Sequence, residues 1–234
     1  MTCRSYPEMV FSDTHNVSHA MFPRIARFRS VADLRQHLAA INAPIPLEAS
    51  PLSAAEGSPM ALPLRIGSRT VGNRWVIHPM EGWDATLDGR PTDILLRRWQ
   101  RFGESGAKLI WGGEAVAVVH EGRANPNQLC APPCGREGFA NLLDTLRSAH
   151  RSAIGDDADL VVALQLTHSG RFSRPTPAGR APRIAYHHPI LDAKAGIAAD
   201  DAACVLSDDD VERLIDAYVA AARAAAAAGF DMVD

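Results

Sequence analysis

Side chains able to do chemistry gather in three short stretches: Asn73-Arg-Trp-Val-Ile-His-Pro-Met-Glu-Gly-Trp83, Leu109-Ile-Trp-Gly-Gly-Glu-Ala-Val-Ala-Val118 and Leu164-Gln-Leu-Thr-His-Ser-Gly-Arg171. Asp84, Asp88 and Glu114 lie in or beside the first two, and paired carboxylates at barrel strand ends can carry hydrolysis, although these lack a distinctive spacing. Trp83 can stack on a planar substrate and offer one N–H, or simply pack its loop. His168 and Arg171 sit in the third stretch, just past the strand end, where a histidine is more often structural than a proton donor, so both are given a supporting role. His78, His187, His188 and the four cysteines match no ligand pattern such as His-Glu-x-x-His, and no metal site is expected.

The elements that must position these residues are legible from periodicity. Strand patterns cover Arg74–Pro79, Ala107–Trp111, Leu160–Thr167 and Phe230–Asp234, and helical patterns cover Pro91–Ser105, Arg136–Arg151 and Ser207–Ala228. The last helix is the best marked: Ser207 can cap it, three aspartates follow at its positive end, and Gly229 can terminate it. Strand–helix alternation implies parallel pairing and an α/β sheet or barrel. Before it, Ser30–Ile41 has helical spacing after a serine cap, residues 42–63 read as a Pro/Ser/Ala-rich connector, and residues 1–20 lack periodicity and are expected to fray. The domain division expected is therefore an arm and connector over 1–63 and an α/β region over 64–234. The turn-rich Gly122–Gln128 and the long loop Phe172–Leu206 are expected to shape an entrance and a lid.

In order and spacing the three motifs resemble the old yellow enzyme family, the NADH:flavin oxidoreductases, which are FMN-binding barrels. The family patterns are an Asn-Arg strand leading to Pro-Met, a strand leading to Glu-Ala or Glu-Gly, and Gln-Leu-x-His-x-Gly-Arg. Ala227-Ala-Gly-Phe-Asp-Met-Val233 resembles the junction that precedes the family's substrate-binding pair, and the resemblance covers about residues 60–234. It implies a truncated (β/α)8 barrel of about three and a half units, with the substrate-binding pair beyond Asp234. It also implies FMN as cofactor, NADH or NADPH as donor, and an activated alkene, quinone or similar small molecule as acceptor.

Beside the resemblance, an isoalloxazine ring needs close backbone approach, a small residue under the ring and an amide at its polar edge. Pro79 and Met80 can supply the wall, Ala115 the small residue and Gln165 the amide, with Trp83 toward the substrate. The bland alternative is that Met80 and Ala115 fill core and Gln165 satisfies a carbonyl. Glu81 departs from the Thr or Cys of relatives; a carboxylate there would disfavour an anionic reduced ring or carry a proton, unless it turns away into a salt bridge.

The composition excludes other classes. With 234 residues, 47% of them hydrophobic, and a formal charge of −3, the chain is no disordered tail or disulfide miniprotein, and a basic nucleic-acid surface is not expected. No signal-like or membrane-spanning run occurs, and the sparse cysteines read as reduced thiols of a cytoplasmic protein. An unpaired strand edge is expected to favour self-association or pairing with a chain that supplies further strands.

Overall fold

A computed structural model describes residues 23–43 and 45–234; the expectation for residues 1–20 falls outside them. The chain divides into two units, Met1–Leu52 and Ser53–Asp234. The boundary thus falls before the stretch 53–63, which composition had grouped with the arm. In the first unit, α1 (Val31–Ala40) begins where the Ser30 hydroxyl accepts from Asp33 N–H at 3.1 Å, the capping bond that its sequence predicts.

The second unit opens with a small hairpin, β1 (Leu64–Ile66) and β2 (Arg69–Val71). Four parallel strands follow in spatial order: β3 (Val76–Ile77), β4 (Leu109–Ala117), β5 (Val161–Thr167) and β6 (Met232–Val233). Between them run α2 (Asp93–Glu104), α3 (Ala131–Ala153), the short α4 (Pro189–Ala195) and α5 (Asp208–Ala228). This is the expected α/β architecture of three and a half strand–helix units. The hairpin and α4 were not anticipated. β4 runs six residues past its predicted end at Trp111, and α3 gains an extra turn, set off at Gly135 by a positive φ of 57°.

Strand alternation divides the core in two. Ile110, Val116, Val162, Leu164 and Leu166 face the helices and pack with Leu95, Trp99, Phe139, Leu142, Leu146 and Ala225. On the opposite face Leu109 and Val161 pack with Val71 of the hairpin, flanked by Val76 and Met232, so the hairpin closes the end of the sheet remote from the strand C-termini. Phe230 sits edge-on to both Trp99, at 6.0 Å, and Phe139, at 6.3 Å, coupling α2, α3 and the entry to β6.

At Gly103 helices α2 and α3 pack so closely that an added Cβ would collide with the Leu146 carbonyl and lie 3.0 Å from Ala149 Cβ. At the same crossing the His150 ring, buried and with its pKa lowered by desolvation, faces the Gly103 carbonyl with Nδ1 at 2.9 Å and Lys108 Nζ with Nε2 at 3.0 Å. Gly103→Ala should therefore destabilise the chain by about 1–3 kcal/mol through overpacking, read as a lower urea midpoint; an unchanged midpoint would show that the helices can move apart freely.

Candidate active face at the strand ends

Two extra residues at the end of β4 organise the face. In the β4–β5 register Gly112 pairs with Leu164, yet Ala115 pairs with Gln165; Gly113 and Glu114 bulge out between them. Gly112 and Gly113 have φ of 77° and 22°, a backbone that a side chain would strain. Gly112 also has no room for one: an added Cβ would lie 2.9 Å from Gln165 Cβ and 3.1 Å from Pro79 Cβ. The bulge therefore lets the ends of β3 and β5 close on that of β4.

The displaced Glu114 is fully buried. Its Oε1 accepts from Gly82 N–H at 2.8 Å, and its Oε2 meets the Arg98 guanidinium of α2. Arg98 also grips Asp84 through Nε at 2.9 Å and Nη2 at 2.8 Å. One cation thus holds two carboxylates and, through them, the loop after β3. Burial pushes the Glu114 carboxyl up to about 7, with Arg98 and the Gly82 N–H opposing. These carboxylates are structural, and Asp88 is occupied by Thr86 and by Arg90 at 3.0 Å; the hydrolytic arrangement considered from sequence is not formed.

Of the six residues singled out, five come together. Ala115 N–H donates to the Met80 carbonyl at 3.1 Å, fixing Pro79-Met80-Glu81 beside β4. Ala115 is buried and stands beside Gln165. Glu81 is exposed; Ser169 Oγ donates to its Oε1 at 3.5 Å, and among the described residues it forms no ion pair. Met80 is 69% exposed, so it does not fill core. Trp83 is 70% exposed and stands apart, with no hydrogen bond or ring contact among the described residues.

The flanking loops are built inward. Gln128 Nε2 donates to the Ala115 carbonyl at 2.7 Å while its Oε1 accepts from Ala124 N–H at 2.6 Å, and Asn125 Nδ2 donates to Gly82 O at 3.1 Å. Arg123, buried and with no carboxylate partner among the described residues, donates to the carbonyls of Leu87, Pro126 and Pro175 at 2.9, 2.8 and 2.7 Å. The stretch expected to line an entrance is thus partly an internal clamp between three loops. His168 packs over Gly122 and accepts from Gly170 N–H at 3.1 Å, and Arg171 pairs with the buried Asp192, both in keeping with support. His187 Nδ1 meets Asp192 at 2.9 Å, and His188 caps α4. Cys130, Cys134 and Cys204 are buried and, among the described residues, unpaired, with burial pushing the Cys130 and Cys134 thiols up to about 11 and about 12. Among the described residues no group of three or more metal-ligating side chains converges, and no helix is long and apolar enough to cross a membrane.

A profile described as the NADH:flavin oxidoreductase / NADH oxidase family matches residues 60–234. Among solved structures, the old yellow enzyme homologue NCR from Zymomonas mobilis is similar at 25% identity and a TM-score of 0.56, over 74% of this chain and 47% of its own. Old Yellow Enzyme from Pichia sp. AKU4542 aligns at 21% identity and a TM-score of 0.53, over 76% of this chain and 45% of its own. Histamine dehydrogenase from Rhizobium sp. 4-9 shares the fold at 20% identity and a TM-score of 0.55, over 75% of this chain and 25% of its own. The chain spans about half the length of the first two, in keeping with the partial barrel expected from sequence. No curated protein sequence matched.

The raised Glu114 carboxyl sets a pH dependence. Between the ordinary value of 4.5 and about 7 the folded chain holds a proton that the unfolded chain has released. Its contribution is therefore full below that window and falls as pH rises through it, by up to about 1.4 kcal/mol per pH unit. Glu114→Gln should flatten this part of a Tm-against-pH curve; an unaltered slope would assign the dependence to another group.

Proposed function

This chain belongs to the NADH:flavin oxidoreductase / NADH oxidase family, and we propose from that premise that its strand ends form the ring-binding half of an FMN site. The observation that carries the reading is the contiguity of Pro79, Met80, Ala115 and Gln165 around the β4 bulge. The fit to a flat ring is chemical as well as spatial. The bulge gives close backbone approach, Ala115 adds little bulk, and Gln165 is half-buried with no donor on its Oε1 among the described residues. A fully satisfied core amide, such as Gln128, has no such free end.

When bound, FMN supplies hydride chemistry between NADH or NADPH and a small-molecule acceptor of the activated alkene or quinone type. The chain's residues would orient it: the Pro79–Glu81 backbone walls one edge, Gln165 engages the polar edge and Trp83 lies toward the acceptor. Glu81 biases the electronics, because a carboxylate beside the ring opposes build-up of negative charge on reduction. Among the described residues it forms no ion pair that would compensate that charge. A cytoplasmic location is consistent with the unpaired thiols. The exposed edge of the four-stranded sheet makes self-association part of the same reading.

The experiment is a visible absorption spectrum of the purified chain after addition of FMN and desalting. Flavin bands that persist, and that are lost in a Gln165→Leu/Ala115→Leu double variant, are the expected result; a colourless wild-type chain would contradict the reading. In flavin-loaded protein Glu81→Gln should raise the midpoint potential by about 20–40 mV, equivalent to ~1–2 kcal/mol, and an unchanged potential would remove Glu81 from this role.

A further inference from the structure

Asp234 stands beside Gln165 at the top of the sheet. Parallel pairing of Leu164 with Val233, extended by Asp234 N–H to Leu164 O at 3.0 Å and Leu166 N–H to Asp234 O at 2.8 Å, fixes the two backbones in register. The Asp234 carboxylate then receives two donors on one oxygen: Gln165 Nε2 at 2.8 Å and Trp111 Nε1 at 3.1 Å. Both hydrogen bonds hold the Asp234 carboxyl below its ordinary range, so it is ionised and can only accept.

An ionised carboxylate decides which way the amide points. The Gln165 NH2 must face Asp234, which turns its carbonyl Oε1 away, and among the described residues no protein donor reaches that oxygen. Gln128 shows the opposite case, with Nε2 donating to Ala115 O and Oε1 accepting from Ala124 N–H. We infer that Asp234 is a positioning residue that holds Gln165 Oε1 outward as a hydrogen-bond acceptor, selecting ligands whose polar ring edge carries an imide N–H. The inference rests on the flavin reading and narrows it: the ring's N3–H is the group recognised, and a ring alkylated at N3 is rejected. Trp111 shares the carboxylate, so the indole, on the same face as its register partner Ala163, restrains Asp234.

The test compares FMN with N3-methyl-FMN by fluorescence titration of the 234-residue chain, and follows the Gln165 side-chain amide protons by NMR without flavin. Wild type should bind FMN at least about tenfold more tightly than the N3-methyl analogue, the cost of one lost hydrogen bond at a desolvated acceptor. Its Gln165 NH2 protons should exchange slowly. Asp234→Asn, which leaves the amide free to turn over, should narrow the discrimination to about threefold or less and speed that exchange, with the thermal midpoint nearly unchanged. Equal binding of the two flavins by wild type, or discrimination untouched in Asp234→Asn, would overturn the inference while leaving the flavin site standing. Binding of neither flavin would overturn both.

Discussion

At the C-terminal end of β4 the chain carries two more residues than β5 can match, and the placement of Gly113 and Glu114 decides the geometry of the whole face. Glu114 is fully buried, where a bare carboxylate would be costly. Arg98 reaches it from α2 and is in turn shared with Asp84. Because Glu114 also accepts from Gly82 N–H, the bulge, the loop after β3 and helix α2 are tied by a single ionic knot. Truncating Arg98 would leave the buried Glu114 without its cation, the costly case for such pairs, whereas truncating Glu114 leaves Arg98 paired with Asp84.

From that knot the neighbouring pieces take their positions. Ala115 returns to register beside Gln165, and its N–H fixes Met80. Its carbonyl is held by Gln128, from a loop that Arg123 clamps against the loops after β3 and β5. A lysine could not serve at Arg123, since three carbonyls in different directions require a forked donor. The face is preorganised by the buried hydrogen bonds of Glu114, Gln128 and Arg123, and the exposed Met80–Glu81 edge and the Gln165 carbonyl are groups that a planar ligand could use.

Much of this was legible in the residues. The apolar periodicity of the helices, the Ser207 cap and the three strand-end motifs marked the architecture, and five of the six residues singled out stand together at the strand ends. The hairpin escaped notice because its strands are only three residues long, although Gly67-Ser68 between Leu64-Arg-Ile66 and Arg69-Thr-Val71 is a two-residue turn signal. The end of β4 was misplaced because Gly112-Gly113 looks like a terminator, whereas glycine within a strand also marks a bulge. Arg98, Arg123 and Asp234 carried no local signal: Arg98 acts on Asp84, 14 positions away, Arg123 on Leu87 and Pro175, 36 and 52 away, and Asp234 on Gln165 and Trp111, 69 and 123 away, so only the folded chain shows these partners. Asp84 and Glu114 were visible as carboxylates, but the cation between them was not.

The central claim is that a flavin ring seats on the β3–β4–β5 strand ends. The most direct measurement is an NMR titration of the isotopically labelled chain with FMN, following backbone and side-chain amides residue by residue. The account predicts that the largest shifts fall on Met80 to Gly82, Ala115 and the Gln165 side chain. Shifts centred elsewhere, for instance on the apolar groove between α5 and β6 lined by Val219, Ala222 and Met232, would contradict it.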